Sequence, residues 1–338
     1  MNGRRYGLDL ARLIAAYLVL FGHFVLEGTF GVHDRKWVGK SEALPLLNKD
    51  NQSAWIIDTY LLDNWKTTTA IIGVALFFII SGWIVPPMLH RYSRFQFLLN
   101  RFFRIFPMLI AAVLASAAIQ YQFGDFASLR FFDIISTLSL TNQFSGNPMT
   151  LGVIWTLIVE FKFYLLLALV GRLNYARIFC AIVAMFFLLG VQIILVKQGY
   201  YSVASHALLT SNFMIHDFYY IIFMLCGSGL WLLINKDKTS KKPIKEIALT
   251  LLIILSFNIY RYVMMSALQL RPHQDINIMT QIISFSLIGF CLLFSKNFST
   301  KNFVINILIL LSNATYSLYL LHVSLGFFFV VSTKACNY

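Results

Sequence analysis

A chain of 338 residues that is 59% hydrophobic, 16% aromatic and only 12% charged, with mean hydropathy +0.73, is far more apolar than a soluble domain, which runs near 45–50% apolar and about 25% charged. That balance excludes a soluble fold and predicts an all-α, polytopic integral membrane protein, one domain over residues 1–338 with about nine or ten transmembrane helices in a single bundle. The net charge of +13 then belongs to membrane-flanking loops, which are basic on the cytoplasmic side, and nucleic acid is not an expected partner.

The first apolar run, "LDLARLIAAYLVLFGHF" from Leu8 to Phe24, follows Arg4 and Arg5. It is long and lacks a small-residue cleavage site, so it reads as a retained first helix and not a signal peptide. Runs of spanning length follow, giving expected spans near 8–27, 68–89, 103–123, 152–171, 177–197, 216–234, 246–266, 277–295 and 313–332. The short segment 303–312 is expected either to lie at the interface or to extend the last span. Arginines and lysines collect in 90–104, at Arg172/Arg177, in 236–245 and at Lys296/Lys301. The segments 28–67, 124–151, 198–215 and 267–276 mix acids with bases. The positive-inside rule places the N-terminus in the cytoplasm, and the long segment 28–67, with Trp37, Trp55 and Trp65, outside it. No internal repeat of the kind found in many transporters is visible.

Ionisable residues inside a span cost roughly 2.5–3.5 kcal/mol each on insertion scales and mark function. In the first span Asp9 and Arg12 are three apart and share a face. Arg12 and His23 are eleven apart, which is about 16 Å of rise on nearly the same face. The alternative reading is a snorkelling arginine and an interfacial histidine. The second span, "GVALFFIISGWIVPP" at 73–87, has Gly73, Ser81 and Gly82, small residues suited to close helix packing. The run "RYSRFQFLLNRFFRIFP" at 91–107 interleaves arginines with aromatics. That suits a basic amphipathic helix at the inner surface, binding anionic lipid or a phosphorylated ligand.

The fourth span, "GVIWTLIVEFKFYLLLALVG" at 152–171, carries Glu160 and Lys162. Glu160 is expected at the depth of His23, where a carboxylate can orient an imidazole. Lys162, Arg261 or Arg12 are the competing partners. The last span, "NATYSLYLLHVSLGFFFVV", brings Tyr316, Ser317, Tyr319 and His322, which suit packing or a hydrogen-bonded histidine. Cys180, Cys226, Cys291 and Cys336 show no paired spacing, and no set of residues has the spacing of a metal site.

Five of these segments resemble, in order, the motifs of the membrane acyltransferase-3 family, bacterial O-acyltransferases that decorate surface polysaccharides. Arg12 and His23 match its Arg-x10-His. "GVALFFIISGW", "RFFRIFP" (Arg101 to Pro107), "WTLIVEFKFY" (Trp155 to Tyr164) and "YSLYLLH" (Tyr316 to His322) match four more. Ala75 stands where the family usually has an acid, and Phe161 and Lys162 where it has a second carboxylate and a glutamine. The family commonly adds a tenth span beyond the last histidine, and 16 residues follow His322 here. No appended hydrolase-like domain is expected.

The resemblance implies transfer of an acyl group, acetyl being the expected one, from acyl-CoA to a hydroxyl of an O-antigen, capsule, exopolysaccharide or glycoside across the bacterial cytoplasmic membrane. Acyl-CoA would be a substrate, and no permanently bound cofactor is expected. Arg12, Arg101 and Arg104 would hold the donor's phosphates. His23 would be the general base and Glu160 its assistant. Asp9, Ser81, Trp155, Tyr164, Tyr316, Tyr319 and His322 remain substrate or structural candidates. A transporter or flippase of lipid-linked sugars is the alternative.

Overall fold

A computed structural model of the chain describes residues 6–23, 56–123, 131–145, 147, 149–199, 206–235, 243–270, 275–295 and 303–335. Among the described residues every regular element is helical and no strand forms, as expected where no water is at hand to satisfy backbone groups. In chain order they are α1 (Tyr6–Phe21), α2 (Ile56–Trp65), α3 (Thr69–Ile84), α4 (Arg94–Phe123), α5 (Phe131–Leu138), α6 (Asn142–Ser145), α7 (Ile154–Val170), α8 (Tyr175–Lys197), α9 (His206–Ile234), α10 (Pro243–Ala267), α11 (Ile278–Phe294) and α12 (Phe303–Ala335).

Six segments among the described residues are long and apolar enough to cross a membrane: 69–90, 94–119, 175–197, 212–234, 244–267 and 305–322. α1, α7 and α11, with 16, 17 and 17 residues, fall at the lower edge of spanning length. The chain is therefore an all-helical polytopic membrane protein.

The element boundaries depart from the expected spans in instructive places. Segment 303–312 extends the last span, forming the start of the 33-residue α12. No Gly or Pro lies between Phe303 and Leu325 to end the helix. The arginine-rich run and the third span likewise form one helix, the 30-residue α4, with Pro107 inside it. Membrane helices tolerate the lost N–H of such a proline. At 1.5 Å per residue α4 is about 45 Å long, more than the roughly 30 Å of hydrocarbon. The segment 28–67 ends in α2; its Trp37 and Trp55 lie outside the described residues.

Between 124 and 151 the chain makes α5 and α6, with Asp133, Ser136, Thr137, Asn142 and Gln143 buried. Asn142 Nδ2 and the Thr150 N–H both donate to Thr137 Oγ1, at 3.1 and 3.2 Å. Where the chain turns from α7 to α8, Gly171 takes φ +79°, a left-handed ending open to glycine. Asn174 then caps α8 by accepting from the Arg177 N–H at 2.8 Å.

The helices group into two compact units. The first comprises 1–77, 104–155 and 276–338, the second 78–103 and 156–275. In the first unit α1 packs against α11 and α12. Gly7, Ala11 and Ala15 recur every four positions along α1, the two alanines are fully buried, and Gly7 meets the Cys291 carbonyl of α11. A Cβ on Gly22 would stand 2.6 Å from the Ala70 Cβ, and one on Gly73 would stand 2.7 Å from the Ala15 carbonyl oxygen. These two glycines let α1 and the start of α3 approach backbone to backbone.

The second unit centres on α9, whose Tyr219, Tyr220, Phe223 and Cys226 are wholly buried. Here Gly82 and Gly227 make the close approach, Gly82 against Met224 and Gly227 against Ile79. Ser228 Oγ ties the crossing by donating to the Gly82 carbonyl at 2.8 Å. The packing role expected for the glycines of "GVALFFIISGW" is thus met twice.

Candidate functional site

In the first unit the polar residues of α1 and α12 meet at two levels. At one end Arg12 Nη1 lies 3.7 Å from Asp9 Oδ1, the i,i+3 pairing expected from spacing, and Ser312 Oγ donates to the same Asp9 oxygen at 3.1 Å. At the other end the rings of His23 and His322 are 5.1 Å apart between centroids and tilted by 45°. Asp9 beside Ser312 and His23 beside His322 make the two helices run parallel. The α-helical part of α1 closes at Phe21, and Gly22 and His23 continue as a π-helical turn. Such turns often occur where a helix re-aims a functional side chain.

His322 is 2% exposed, and its Nδ1 lies 2.7 Å from the Tyr319 carbonyl oxygen. A carbonyl only accepts, so Nδ1 carries the hydrogen and, in the neutral ring, Nε2 carries the lone pair. That Nε2 and His23 Nδ1 are both buried from solvent. The Tyr319 ring packs on Phe77 edge-on at 5.3 Å and lies 5.8 Å from the His322 ring. Tyr316 Oη donates to the Ile105 carbonyl at 3.1 Å. Arg104 is exposed on α4, and Trp155 is half-buried at the start of α7.

A second group forms within the other unit. Tyr164 and Glu160 are four apart on α7 and therefore neighbours on one face. Tyr164 Oη donates to Glu160 Oε1 at 2.5 Å, and Ser81 Oγ donates to the same oxygen at 3.2 Å. The Arg101 guanidinium carbon lies 5.7 Å from the centre of the Tyr164 ring, a cation–π distance. Arg101 is 5% exposed and donates through Nη2 to Asn100 Oδ1 at 2.9 Å. Its buried Nε has no hydrogen-bond partner, and among the described residues it forms no salt bridge. The structure thus brings together Asp9 with Arg12, His23 with His322 and Tyr319, and Arg101 with Tyr164, Glu160 and Ser81.

The chain matches the acyltransferase domain family from residue 5 to residue 334. It belongs to the acyltransferase-3 family. Nodulation protein 10 of Rhizobium leguminosarum bv. viciae is 28% identical to it over 186 residues, which cover 49% of this chain and 44% of that protein. The match therefore spans less than half the length of that relative. No solved structure matches the chain.

All five motif segments of this acyltransferase-3 protein lie inside the matched range. Its departures from the family pattern have physical consequences. Ala75, in the place of an acid, is completely buried, so the position serves packing. Lys162, in the place of glutamine, forms an ion pair with Asp217, whose side chain is 2% exposed. Arg261 forms a two-pronged pair with Asp275, with Nε at 2.6 Å from Oδ1, and Tyr219 Oη donates to the same carboxylate at 3.3 Å. Each cation that the sequence offered as a partner for Glu160 thus has a carboxylate of its own: Asp9 for Arg12, Asp217 for Lys162, Asp275 for Arg261. Asp217 was visible as an acid inside an apolar run, the signal that sequence reading passed over. Asp275 lay in a mixed-charge segment and carried no such signal.

Proposed function

We propose that this acyltransferase-3 protein is a membrane O-acyltransferase of the bacterial cytoplasmic membrane, its N-terminus in the cytoplasm. It takes an acyl group, acetyl being the expected one, from cytoplasmic acyl-CoA and places it on a hydroxyl of a surface or exported carbohydrate. The observation that carries this reading is the arrangement on α1. Arg12 and His23 stand about 16 Å apart along one helix, about the reach of an extended pantetheine arm, and His23 meets a second histidine at its end of the helix.

In the proposed reaction His23 takes the proton of the acceptor hydroxyl as that oxygen attacks the thioester carbonyl. The C–O bond forms, the C–S bond breaks, and the proton passes from His23 to the departing thiolate. The products are the ester and free CoA. Arg12, Arg101 and Arg104 bind the donor's phosphates. The buried guanidinium of Arg101, which forms no salt bridge among the described residues, favours this role, because a desolvated cation without a counter-ion is costly unless an anionic ligand completes it. Glu160 assists through the hydroxyls it gathers, those of Tyr164 and Ser81.

Mass spectrometry of the cell's surface and exported glycans, with and without the protein, tests this reading. The expected result is the loss of one acyl mass on deletion, restored by the wild-type chain. Identical glycans in both cells, under conditions where the protein is made, would overturn it and favour movement of lipid-linked sugars.

A further inference from the structure

The turn between α7 and α8 gathers arginines that the proposed reaction does not use. A Cβ at Gly171 would stand 3.3 Å from Arg94 Nη2 and 3.7 Å from Arg177 Nη1, so guanidinia from two different helices face one point. Arg94 opens α4 and Arg177 lies in the first turn of α8, and neither first turn holds an acid. Cations at helix starts oppose the macrodipole, and two guanidinia brought this close repel each other. Among the described residues neither forms a salt bridge. Helix stability therefore does not account for the pair, and an anion between the two would.

We infer that this turn holds the phosphate of an anionic membrane lipid, with Arg94 and Arg177 as its two prongs. The geometry is prepared before the ligand arrives. Gly171 takes φ +79°, and its N–H donates to the Leu167 carbonyl at 2.8 Å. Arg172 Nε donates to the Leu89 carbonyl at 3.3 Å, which fastens the turn to the segment just before α4. Arg177 Nη1 donates to the Arg172 carbonyl at 2.6 Å, which fixes that side chain and leaves the other donors of its fork available. A guanidinium already held in place loses less freedom when it binds. The missing side chain at Gly171 keeps the space beside both prongs open. Two oxygens of a single phosphate can then meet one prong each, at the roughly 2.7–2.9 Å of a charge-assisted bond.

Phosphate chemistry is shared by lipid headgroups and by acyl-CoA, and the place of the turn favours the lipid. Segments 94–119 and 175–197 have spanning length, and the two arginines stand at their starts, where headgroups lie. Beside them Phe95 and Leu169 are 74% and 75% exposed, apolar surface that the acyl chains of the same lipid would cover. Basic clusters between spans at a membrane face suit anionic headgroups. Arg94, Arg172 and Arg177 are all exposed, so a headgroup reaches them without any opening of the fold. A lipid bound here braces the start of α4 against the α7–α8 turn, about two helical turns before Arg101.

The test titrates purified protein in detergent with phosphatidylglycerol, or with phosphatidylcholine of the same acyl chains. Native mass spectrometry counts retained lipid, and the melting temperature reads stabilisation by whatever binds the folded state. The wild-type protein is expected to retain phosphatidylglycerol and to melt higher with it than with phosphatidylcholine. Arg94 forms no salt bridge among the described residues, so Arg94→Gln is expected to melt like wild type without lipid. It should bind phosphatidylglycerol about five-fold more weakly, in line with roughly 1 kcal/mol per arginine. Adding Arg177→Gln is expected to remove the preference for the anionic lipid. Lys245→Gln, which takes the same charge from the start of α10, is expected to leave binding unchanged. Equal weakening by Lys245→Gln and Arg94→Gln would mean diffuse attraction and overturn the site. If Arg94→Gln leaves phosphatidylglycerol binding intact and instead weakens coenzyme A binding in calorimetry, the phosphate is the donor's and the lipid assignment falls.

Discussion

Two polar groups among the described residues handle polarity in opposite ways. Beside His23 and His322 the chain uses groups that can be neutral, and it fixes one of them with a backbone carbonyl. Around Arg101 it buries a formal charge, sets it over an aromatic ring and, among the described residues, pairs it with no carboxylate. Neutral imidazoles cost little to bury and can cycle a proton. A lone guanidinium is costly to bury and serves best as a fixed anion receptor. The contrast divides the proposed labour, with proton transfer at the histidines and donor binding at the arginine.

The sharpest way to break that division is to exchange the losses. His23→Ala is expected to lower the rate of acyl transfer by about 10²–10⁴-fold. Glu160→Gln, whose amide oxygen still accepts from Tyr164 and Ser81, is expected to cost about ten-fold. Equal losses would bring the Glu160 charge into the proton transfer. Next in size is a paired charge: Asp217→Asn leaves Lys162 without its counter-ion and is expected to destabilise the protein by about 3–5 kcal/mol, read as a lower melting temperature in detergent. Adding Lys162→Gln should restore most of the loss.

Arg101→Leu, by contrast, removes a cation that has no ion-pair partner among the described residues. It is expected to raise KM for acyl-CoA about ten-fold or more, in line with about 1.5–3 kcal/mol for a charged hydrogen bond, while the melting temperature holds or rises. A drop like that of Asp217→Asn would make Arg101 structural. The smallest effect is expected at Tyr316→Phe, which deletes one hydrogen bond to Ile105 and should cost about 1 kcal/mol of stability with kcat unchanged.

Depth along a helix was legible in the sequence, and adjacency between helices was not. Spacing alone predicted the Asp9–Arg12 pair and the long separation of Arg12 from His23, because both follow from helical geometry. The glycines of "GVALFFIISGW" announced close packing for the same local reason. Which side chain stands beside His23 depends on how α1 and α12 dock, and no periodicity encodes that. The competition for Glu160 was likewise unreadable, since Asp275, which takes Arg261, lies 115 residues further along the chain than Glu160 (275 minus 160). The extension of α12 through 303–312 was readable in principle from the absence of Gly and Pro, but short length and neighbouring lysines obscured it.

The most direct measurement supplies purified, membrane-reconstituted protein with labelled acetyl-CoA on the N-terminal side and a carbohydrate extract on the other. The account predicts label in alkali-labile ester linkage to carbohydrate with the wild-type chain and little with His23→Ala. Label that stays on CoA while lipid-linked sugar crosses the bilayer would contradict it.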